Sequence, residues 1–328
     1  MIKKELIDKL KGTKILDDLD CTEFVHTGSY ALNRIISGDY GKGIPIGGIT
    51  QIRGDSSTGK TLFVSTILAQ AQKSGFYTKI LDTENTLNAT FARMLGINPD
   101  NLMYSTPEYL EKAFEDVEET IKAIREDDTK TPIVIAIDSV AVLGTKAEYE
   151  KDTFEQSPTD GAIRAKVFGG CLRKINPILK RHNVALIVVN QVRTKINVMY
   201  GDPSTIAGGG RSLEFYLSVD LKTTSNKGSD VIKDDNGNAL GIEGKIECKK
   251  NKISVPFKSC GFRVLFNKGL DPYAGLLDLL VEDAMISKSA NGRYQLGETK
   301  FLAKEFNELL LDKSKTDFAI IRNKLNIT

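Results

Sequence analysis

The residues 54–61 read GDSSTGKT and match the pattern of a phosphate-binding loop in full. An apolar strand pattern, Ile49–Ile52, precedes the loop, and a helical pattern follows it. The two loop glycines allow backbone N–H groups to curl around phosphate oxygens, while the lysine reaches the terminal phosphates and the final hydroxyl binds Mg²⁺. The sequence therefore predicts a nucleoside triphosphate bound with Mg²⁺ by Gly54, Asp55, Ser56, Ser57, Thr58, Gly59, Lys60 and Thr61.

Acidic residues follow two further strand patterns. Asp138 ends the buried-strand run Ile133–Ile137, and we expect it to hold the metal, although it could instead cap the following turn. Asp82 and Glu84 both follow the run Lys79–Leu81. A carboxylate at this position can orient and deprotonate an attacking water. We favour Glu84, but periodicity does not separate the two, since either could cap a helix.

An amide follows a third strand pattern, Ala185–Val189. Gln191 lies just beyond it, with the basic residue Arg193 next along the chain. The Gln191 amide could bond to the γ-phosphate and move the loop that follows, or it could be a polar cap of the strand.

The elements that must position these groups alternate along the chain. The alternation over residues 28–268 predicts an α/β fold with a mostly parallel twisted sheet flanked by helices, and with later strands that can pair antiparallel. The predicted strands are 49–53, 78–81, 133–137, 185–189, 218–223, 245–248 and 263–266, and the predicted helices are 62–75, 107–126 and 162–182. Residues 1–27 fit a short amphipathic helix, and residues 269–328 a small C-terminal module.

Composition restricts the class of protein. The 328 residues are 41% hydrophobic and 27% charged, which is typical of a globular protein. The four cysteines are too scattered for a zinc site or a disulfide framework, and no apolar run is long enough for a signal core or a membrane span. A reducing, cytoplasmic setting without membrane contact is expected. Because the formal net charge is only +2, any DNA contact must come from local clusters of cations.

Several segments together resemble the RecA family. They are HTGS at 26–29, GDSSTGKT, LDTENTLNATFARMLGI, IVIAIDSVAVLGTKAE, NQVRTKINVMYGDPSTIAGGG and KNKISVPFK, and the likeness runs from about residue 26 to 290. The resemblance implies a RecA-type ATPase core, ATP and Mg²⁺ as cofactors, and a homo-oligomeric filament on single-stranded DNA that pairs with homologous duplex and hydrolyses ATP when bound to DNA. It also implies that residues 1–27 pack on a neighbouring subunit. Arg164-Ala165-Lys166, the triple glycine at 208–210 and the segment 270–278 look closer to the bacteriophage UvsX branch.

The resemblance also implies residue roles. Glu84 matches the family's catalytic glutamate, Asp138 its metal-shell acid, and Gln191 the glutamine that couples ATP to DNA. Phe91 matches an aromatic residue that stacks on adenine, although a core phenylalanine is the plainer interpretation. Two lysines beside Asn251 match residues that reach the neighbouring subunit's ATP, although such a run is more often a solvated charge cluster. They are Lys250 and Lys252.

DNA contact is expected from two loops, at about 153–163 and 192–212. Cations there can neutralise phosphates while apolar side chains wedge between bases, although a polar surface loop is the simpler alternative. The residues concerned are Arg164, Lys166, Arg173, Arg193, Lys195, Ile196, Met199 and Arg211. Single-strand binding and loader proteins are further expected partners. The sequence departs from the family at Asp55, Ser56, Lys166 and Glu214, and a hexameric helicase or an ATP-governed scaffold remain alternative functions.

Overall fold

The computed structural model describes residues 23–151, 159–194, 204–206, 212–224 and 230–327. The strands in these ranges are β1 (Phe24–Val25), β2 (Ile44–Pro45), β3 (Ile49–Gly54), β4 (Tyr77–Asp82), β5 (Leu102–Ser105), β6 (Ile133–Asp138), β7 (Val184–Thr194), β8 (Ser204–Ile206), β9 (Leu217–Thr224), β10 (Val231–Lys233), β11 (Ala239–Asn251), β12 (Ser259–Leu265), β13 (Gly269–Leu270), β14 (Ser287–Lys288), β15 (Tyr294–Leu296) and β16 (Thr299–Phe301). The α-helices are α1 (Tyr30–Ser37), α2 (Lys60–Lys73), α3 (Ala89–Met94), α4 (Leu110–Asp127), α5 (Lys146–Tyr149), α6 (Asp160–Arg181), α7 (Ser212–Tyr216), α8 (Leu276–Glu282), α9 (Phe306–Leu311) and α10 (Ala319–Leu325). None of the helices in these ranges is both long and apolar enough to cross a membrane.

One large sheet organises the chain, in the order β13-β12-β11-β9-β3-β7-β6-β4-β5. From β9 through β3, β7, β6 and β4 to β5, each pair of neighbouring strands is parallel. The pairs β9–β11, β11–β12 and β12–β13 are antiparallel. The predicted α/β fold with a mostly parallel sheet and later antiparallel strands is confirmed. Each of the seven predicted strands overlaps an observed one, and the observed strands extend further at one or both ends, although β12 ends at Leu265, one residue before its predicted end.

Alternate residues of the central strands face opposite cores, as a sheet buried on both faces requires. On β6, Ile133, Ile135 and Ile137 join the apolar cluster under α4 and α6, while Val134 and Ala136 join the cluster that covers α2. Both faces are therefore closed to water.

The elements after β13 share that second core. Apolar side chains of α8, α9 and α10 belong to the same buried cluster as α2, and β14, β15 and β16 form a separate three-stranded sheet. Because β13 pairs with β12, the residues Gly269–Leu270 lie in the large sheet. The division of the chain at residue 268 stays a prediction.

The carboxyl ends of the parallel strands meet at one edge. Gly54 on β3 lies opposite Gln191 on β7, and Asp82 on β4 lies opposite Asp138 on β6. Parallel pairing therefore gathers residues that are far apart in sequence at the edge where open α/β sheets bind ligands.

Candidate functional site

The phosphate-binding loop joins β3 to α2 and is pinned to the neighbouring strand β9. Thr58 Oγ1 lies 2.9 Å from both the Asp55 carbonyl oxygen and Thr223 Oγ1. A Cβ at Gly54 would lie 2.1 Å from Thr223 Oγ1, so no larger residue fits there without displacing β9. Gly59 has a φ of +79°, a conformation that glycine adopts without strain. The loop thus keeps a fixed shape at the N-terminus of α2.

Lys60 lies largely buried at the first position of α2. Its Nζ donates to the carbonyl oxygens of Gly54, at 3.1 Å, and Asp55, at 2.6 Å. Burial lowers the pKa of Lys60, while the nearby carboxylates of Asp138 and Glu84 oppose that shift. The ammonium is therefore held across the loop by neutral acceptors, which anionic phosphate oxygens can replace.

Asp138 ends β6 and is only 4% exposed. Burial raises the pKa of Asp138 to about 6, although a hydrogen bond with Thr61 and the charge of Lys60 favour the ionised form. The Oδ2 atom is buried without a hydrogen-bond partner among the described residues. A buried anionic oxygen beside a hydroxyl suits Mg²⁺, which prefers hard oxygen ligands and keeps several waters. These two residues therefore fit the metal that the sequence predicts.

The two acids after β4 have different surroundings. Asp82 is almost fully buried, and its carboxylate accepts hydrogen bonds from the backbone N–H groups of Glu84 and Leu87 at 3.2 and 2.8 Å. The Glu84 side chain is exposed, and its Oε1 accepts from Ser139 Oγ at 2.7 Å and from Gln191 Nε2 at 3.3 Å. Asp82 thus organises the loop, whereas Glu84 projects from it.

A cavity of about 630 Å³ joins these groups. Lys60, Thr61, Glu84, Asp138 and Gln191 all contribute to its lining. The structure therefore brings together the predicted phosphate, metal, hydrolytic and sensing residues, which are spread over more than a hundred positions of the sequence.

Apolar side chains also line the cavity. It is lined by Val231 and Ile242 of the β10–β11 hairpin and by Phe266, whose ring is 40% exposed. Phe266 lies in the predicted strand 263–266 without a predicted role, although an aromatic residue at the end of a strand pattern was a usable signal. Phe91, the predicted adenine-stacking residue, is not among the lining residues, because α3 packs its ring partly against the core.

The two lysines of the KNK segment lie away from this cavity, at the end of β11. Lys250 Nζ donates to the Glu214 carbonyl oxygen, and Lys252 Nζ donates to that of Phe215 at 3.3 Å. Burial and the charge of Lys252 lower the pKa of Lys250. Both ammonium groups therefore bond carbonyls of the short helix α7 and do not reach the phosphate-binding loop of their own chain.

The predicted DNA-contacting residues divide into three groups. On α6, Lys166 and Arg173 are exposed, whereas Arg164 is half-buried and its Nη2 donates to the carbonyl oxygens of Val140 and Ala141. Arg193 lies on β7, where it pairs with Thr205. The remaining residues lie outside the described ranges, and they are Lys195, Ile196, Met199 and Arg211.

A buried polar network crosses the sheet behind the loop and was missed by the sequence analysis. Asn190 Nδ2 donates to Gln51 Oε1, and Gln51 Nε2 donates to Asp220 Oδ1 at 2.8 Å. Arg53 binds the same carboxylate through Nε and Nη2. Polar residues inside strand patterns were the only signal of it in the sequence.

Comparison with known proteins agrees with this geometry. Residues 4–271 match the model of the RecA N-terminal domain. Protein RecA of Thermus aquaticus is 38% identical over 268 residues, covering 80% of this chain and 75% of that protein. Protein RecA of Deinococcus radiodurans is 37% identical over 297 residues, covering 90% and 76%. The match over most of the chain and the cavity at the strand ends lead to one conclusion, that the chain belongs to the RecA family.

Proposed function

We propose that the protein binds ATP with Mg²⁺ in the cavity at the strand ends and hydrolyses it there, and that the bound nucleotide controls the affinity for DNA. As a member of its family the chain is a DNA-dependent ATPase of homologous recombination. The observation that supports the proposal most is the Glu84 carboxylate, which shares one oxygen between Ser139 and Gln191 beside Lys60 and Asp138. A hydrolytic carboxylate and a polar sensor thus lie in one cavity.

The polar end of the cavity is suited to the triphosphate. Lys60 exchanges its two carbonyl acceptors for phosphate oxygens, and the N–H groups at the start of α2 add their partial positive charge. Thr61 and Asp138 would hold Mg²⁺, and that ion would supply positive charge against the phosphates. Among the apolar lining residues, Phe266 offers a flat surface to the base. Phe91 is also proposed to stack on the adenine, with the part of its ring that the core leaves exposed.

Glu84 is proposed to orient the attacking water and to accept its proton. Both donors bind Oε1, which leaves Oε2 as the oxygen that faces a water molecule. The side chain is exposed, so solvent reaches it directly. General-base catalysis of this kind contributes roughly a hundredfold or more to the rate.

Gln191 is proposed to couple the nucleotide to DNA. Its amide binds Glu84, and a γ-phosphate oxygen can compete for the same donor. Gln191 lies on β7, whose last residue leads into the predicted DNA loop at about 192–212. A change of partner at Gln191 therefore acts on the segment proposed to hold DNA.

The ATP site is proposed to be completed by the next subunit of a filament. Lys250 and Lys252 lie outside their own cavity, with their ammonium groups on the carbonyls of α7. Two cations brought to a neighbour's γ-phosphate would stabilise developing negative charge, as an arginine finger does. Hydrolysis then depends on assembly, and residues 1–27 are proposed to support it.

DNA is proposed to lie along the exposed cations of α6 and the two loops, with Lys166 and Arg173 contacting phosphates. The same role is proposed for Arg193, Lys195 and Arg211, with Ile196 and Met199 between bases. We further propose that the protein works in the cytoplasm, with single-strand binding and loader proteins, and that it belongs to the bacteriophage branch. The support for that branch is the segment Arg164-Ala165-Lys166.

The test is ATP hydrolysis with and without single-stranded DNA, at low and moderate salt. We expect strong stimulation by DNA that weakens with salt and is lost in Lys60→Ala. The matched control is Lys73→Ala, an exposed lysine at the other end of α2, which we expect to keep the wild-type rate. Hydrolysis indifferent to DNA would favour an ATP-governed scaffold, and closed rings in micrographs would favour a helicase.

A further inference from the structure

We infer that Arg164 is a positioning residue that holds the turn after β6 and thereby orients Glu84, and that it is not a phosphate contact. This inference rests on the proposed function of Glu84. It separates Arg164 from the other two cations of α6 with which the sequence analysis grouped it.

The guanidinium of Arg164 is bonded to the main chain. Its Nη2 lies 2.6 Å from the Val140 carbonyl oxygen and 3.0 Å from that of Ala141. A charged donor that bridges two consecutive carbonyls fixes a turn more firmly than a neutral donor does. Leaving these acceptors for a DNA phosphate would release two buried carbonyl groups, which is unfavourable.

The turn that Arg164 holds is the segment directly after Asp138. Thr83 Oγ1 accepts from the Ser139 N–H and donates to the Ser139 carbonyl oxygen, at 2.7 and 2.8 Å. The Val140 N–H donates to the Val189 carbonyl oxygen of β7 at 3.1 Å. The turn is therefore bonded on three sides, and Arg164 supplies the side that faces α6.

Ser139 transmits the position of this turn to the hydrolytic site. Its hydroxyl donates to Glu84 Oε1 at 2.7 Å. A displacement of the Val140 and Ala141 carbonyls thus displaces the group that orients Glu84. Arg164 lies four residues after the start of α6 at Asp160, so the N-terminal part of this helix carries the guanidinium that holds the turn.

The neighbouring cations of α6 contrast with Arg164. Lys166 and Arg173 are exposed and lie seven residues apart, on one face of the helix. Ile163, which is 44% exposed, lies on the same face. This face is available to a polyanion, whereas the Arg164 guanidinium points to the turn. One helix thus separates DNA contact from the positioning of Glu84.

The experiment compares Arg164→Gln with Lys166→Ala in the full-length protein, using single-stranded DNA and ATP. For Arg164→Gln we expect kcat at saturating DNA to fall roughly tenfold, through loss of orientation at Glu84. The DNA concentration for half-maximal stimulation and its salt dependence should stay unchanged. For Lys166→Ala we expect the opposite pattern, with weaker binding and a salt slope smaller by about one. Arg181→Gln, an exposed arginine at the far end of α6, is the matched control for loss of charge.

Two further measurements keep the result unambiguous. Arg164→Lys retains the charge and reaches one carbonyl, so it should recover part of kcat. It should also unfold at the wild-type temperature. If Arg164→Gln does not fold, Arg164→Lys takes its place in the comparison. A normal kcat with a reduced salt slope in Arg164→Gln would overturn the inference, and so would wild-type behaviour in every readout. A wild type that DNA does not stimulate would instead refute the proposed function.

Discussion

Removing the charge of Asp220 should strongly destabilise the protein. The Asp220 carboxylate is buried and accepts three bonds from Arg53, at 2.9 to 3.0 Å, and one from Gln51 at 2.8 Å. In Asp220→Asn, one oxygen becomes an NH₂ group that faces the guanidinium, so the buried cation loses its counter-charge. Breaking a buried pair by removing one partner costs about 3–5 kcal/mol. Because asparagine keeps one acceptor, we expect the lower end, about 3 kcal/mol.

The measurement is urea unfolding of nucleotide-free protein at low concentration, so that ligand and assembly do not contribute. The control is Glu243→Gln, which removes an exposed partner of Arg263 at 3.4 Å and should change the free energy of unfolding by less than about 0.5 kcal/mol. Replacing both residues, as in Arg53→Met with Asp220→Leu, should recover only part of the loss, because the buried Gln51 Nε2 group would still lack its acceptor. Equal effects of Asp220→Asn and Glu243→Gln would refute the assigned role of the buried pair.

Three further predictions follow from the geometry. Burial, and then the charge of Lys73, lower the pKa of His26 to about 4, and its Nδ1 accepts from the Gly28 N–H while Tyr30 packs on the ring. The folded state thus favours neutral His26, so the contribution of His26 to stability is complete above pH 6.5 and is lost as the pH falls towards 4. Between neutral pH and pH 5, the free energy of unfolding should therefore fall by about 2 kcal/mol more in the wild type than in His26→Asn. Gly54→Ala should weaken nucleotide binding roughly tenfold or more, since its Cβ would meet the side chain of β9, whereas Gly170→Ala, with open space around the added Cβ, should bind normally by calorimetry. Glu84→Gln should bind ATP and unfold like the wild type but hydrolyse it roughly a hundredfold more slowly in a phosphate-release assay, and a normal rate would refute its role.

The fold could be predicted from sequence because its signals are local. Buried parallel strands appear as continuous apolar runs, and the phosphate-binding loop depends on a short string of residues with a strand before and a helix after. The resemblance to the RecA family then supplied expectations that periodicity alone could not, above all for Gln191 and the two lysines after Cys248.

Orientation within the site could not be predicted from sequence. Asp82 and Glu84 end the same strand pattern. Only the structure of the loop shows that backbone N–H groups donate to the Asp82 carboxylate and, within the described ranges, not to Glu84. Arg164 resembles its neighbouring cations in sequence, yet its guanidinium bonds a turn more than twenty residues away. Phe266 directly follows β12 and reaches the cavity because β12 pairs with β11, which pairs with β9. No local sequence pattern reveals these long-range pairings.

The central claim, that one ATP site is completed by the neighbouring subunit, is tested most directly by mixing two inactive variants. Lys60→Ala lacks a working phosphate-binding loop but keeps Lys250, and Lys250→Ala keeps the loop but lacks the lysine for its neighbour. In a random equal mixture on single-stranded DNA, roughly a quarter of head-to-tail interfaces combine an intact loop with an intact lysine. We predict that each variant alone is inactive and that the mixture recovers about that fraction of wild-type hydrolysis. A mixture as inactive as its components, under conditions in which both variants assemble together on DNA, would contradict the shared site.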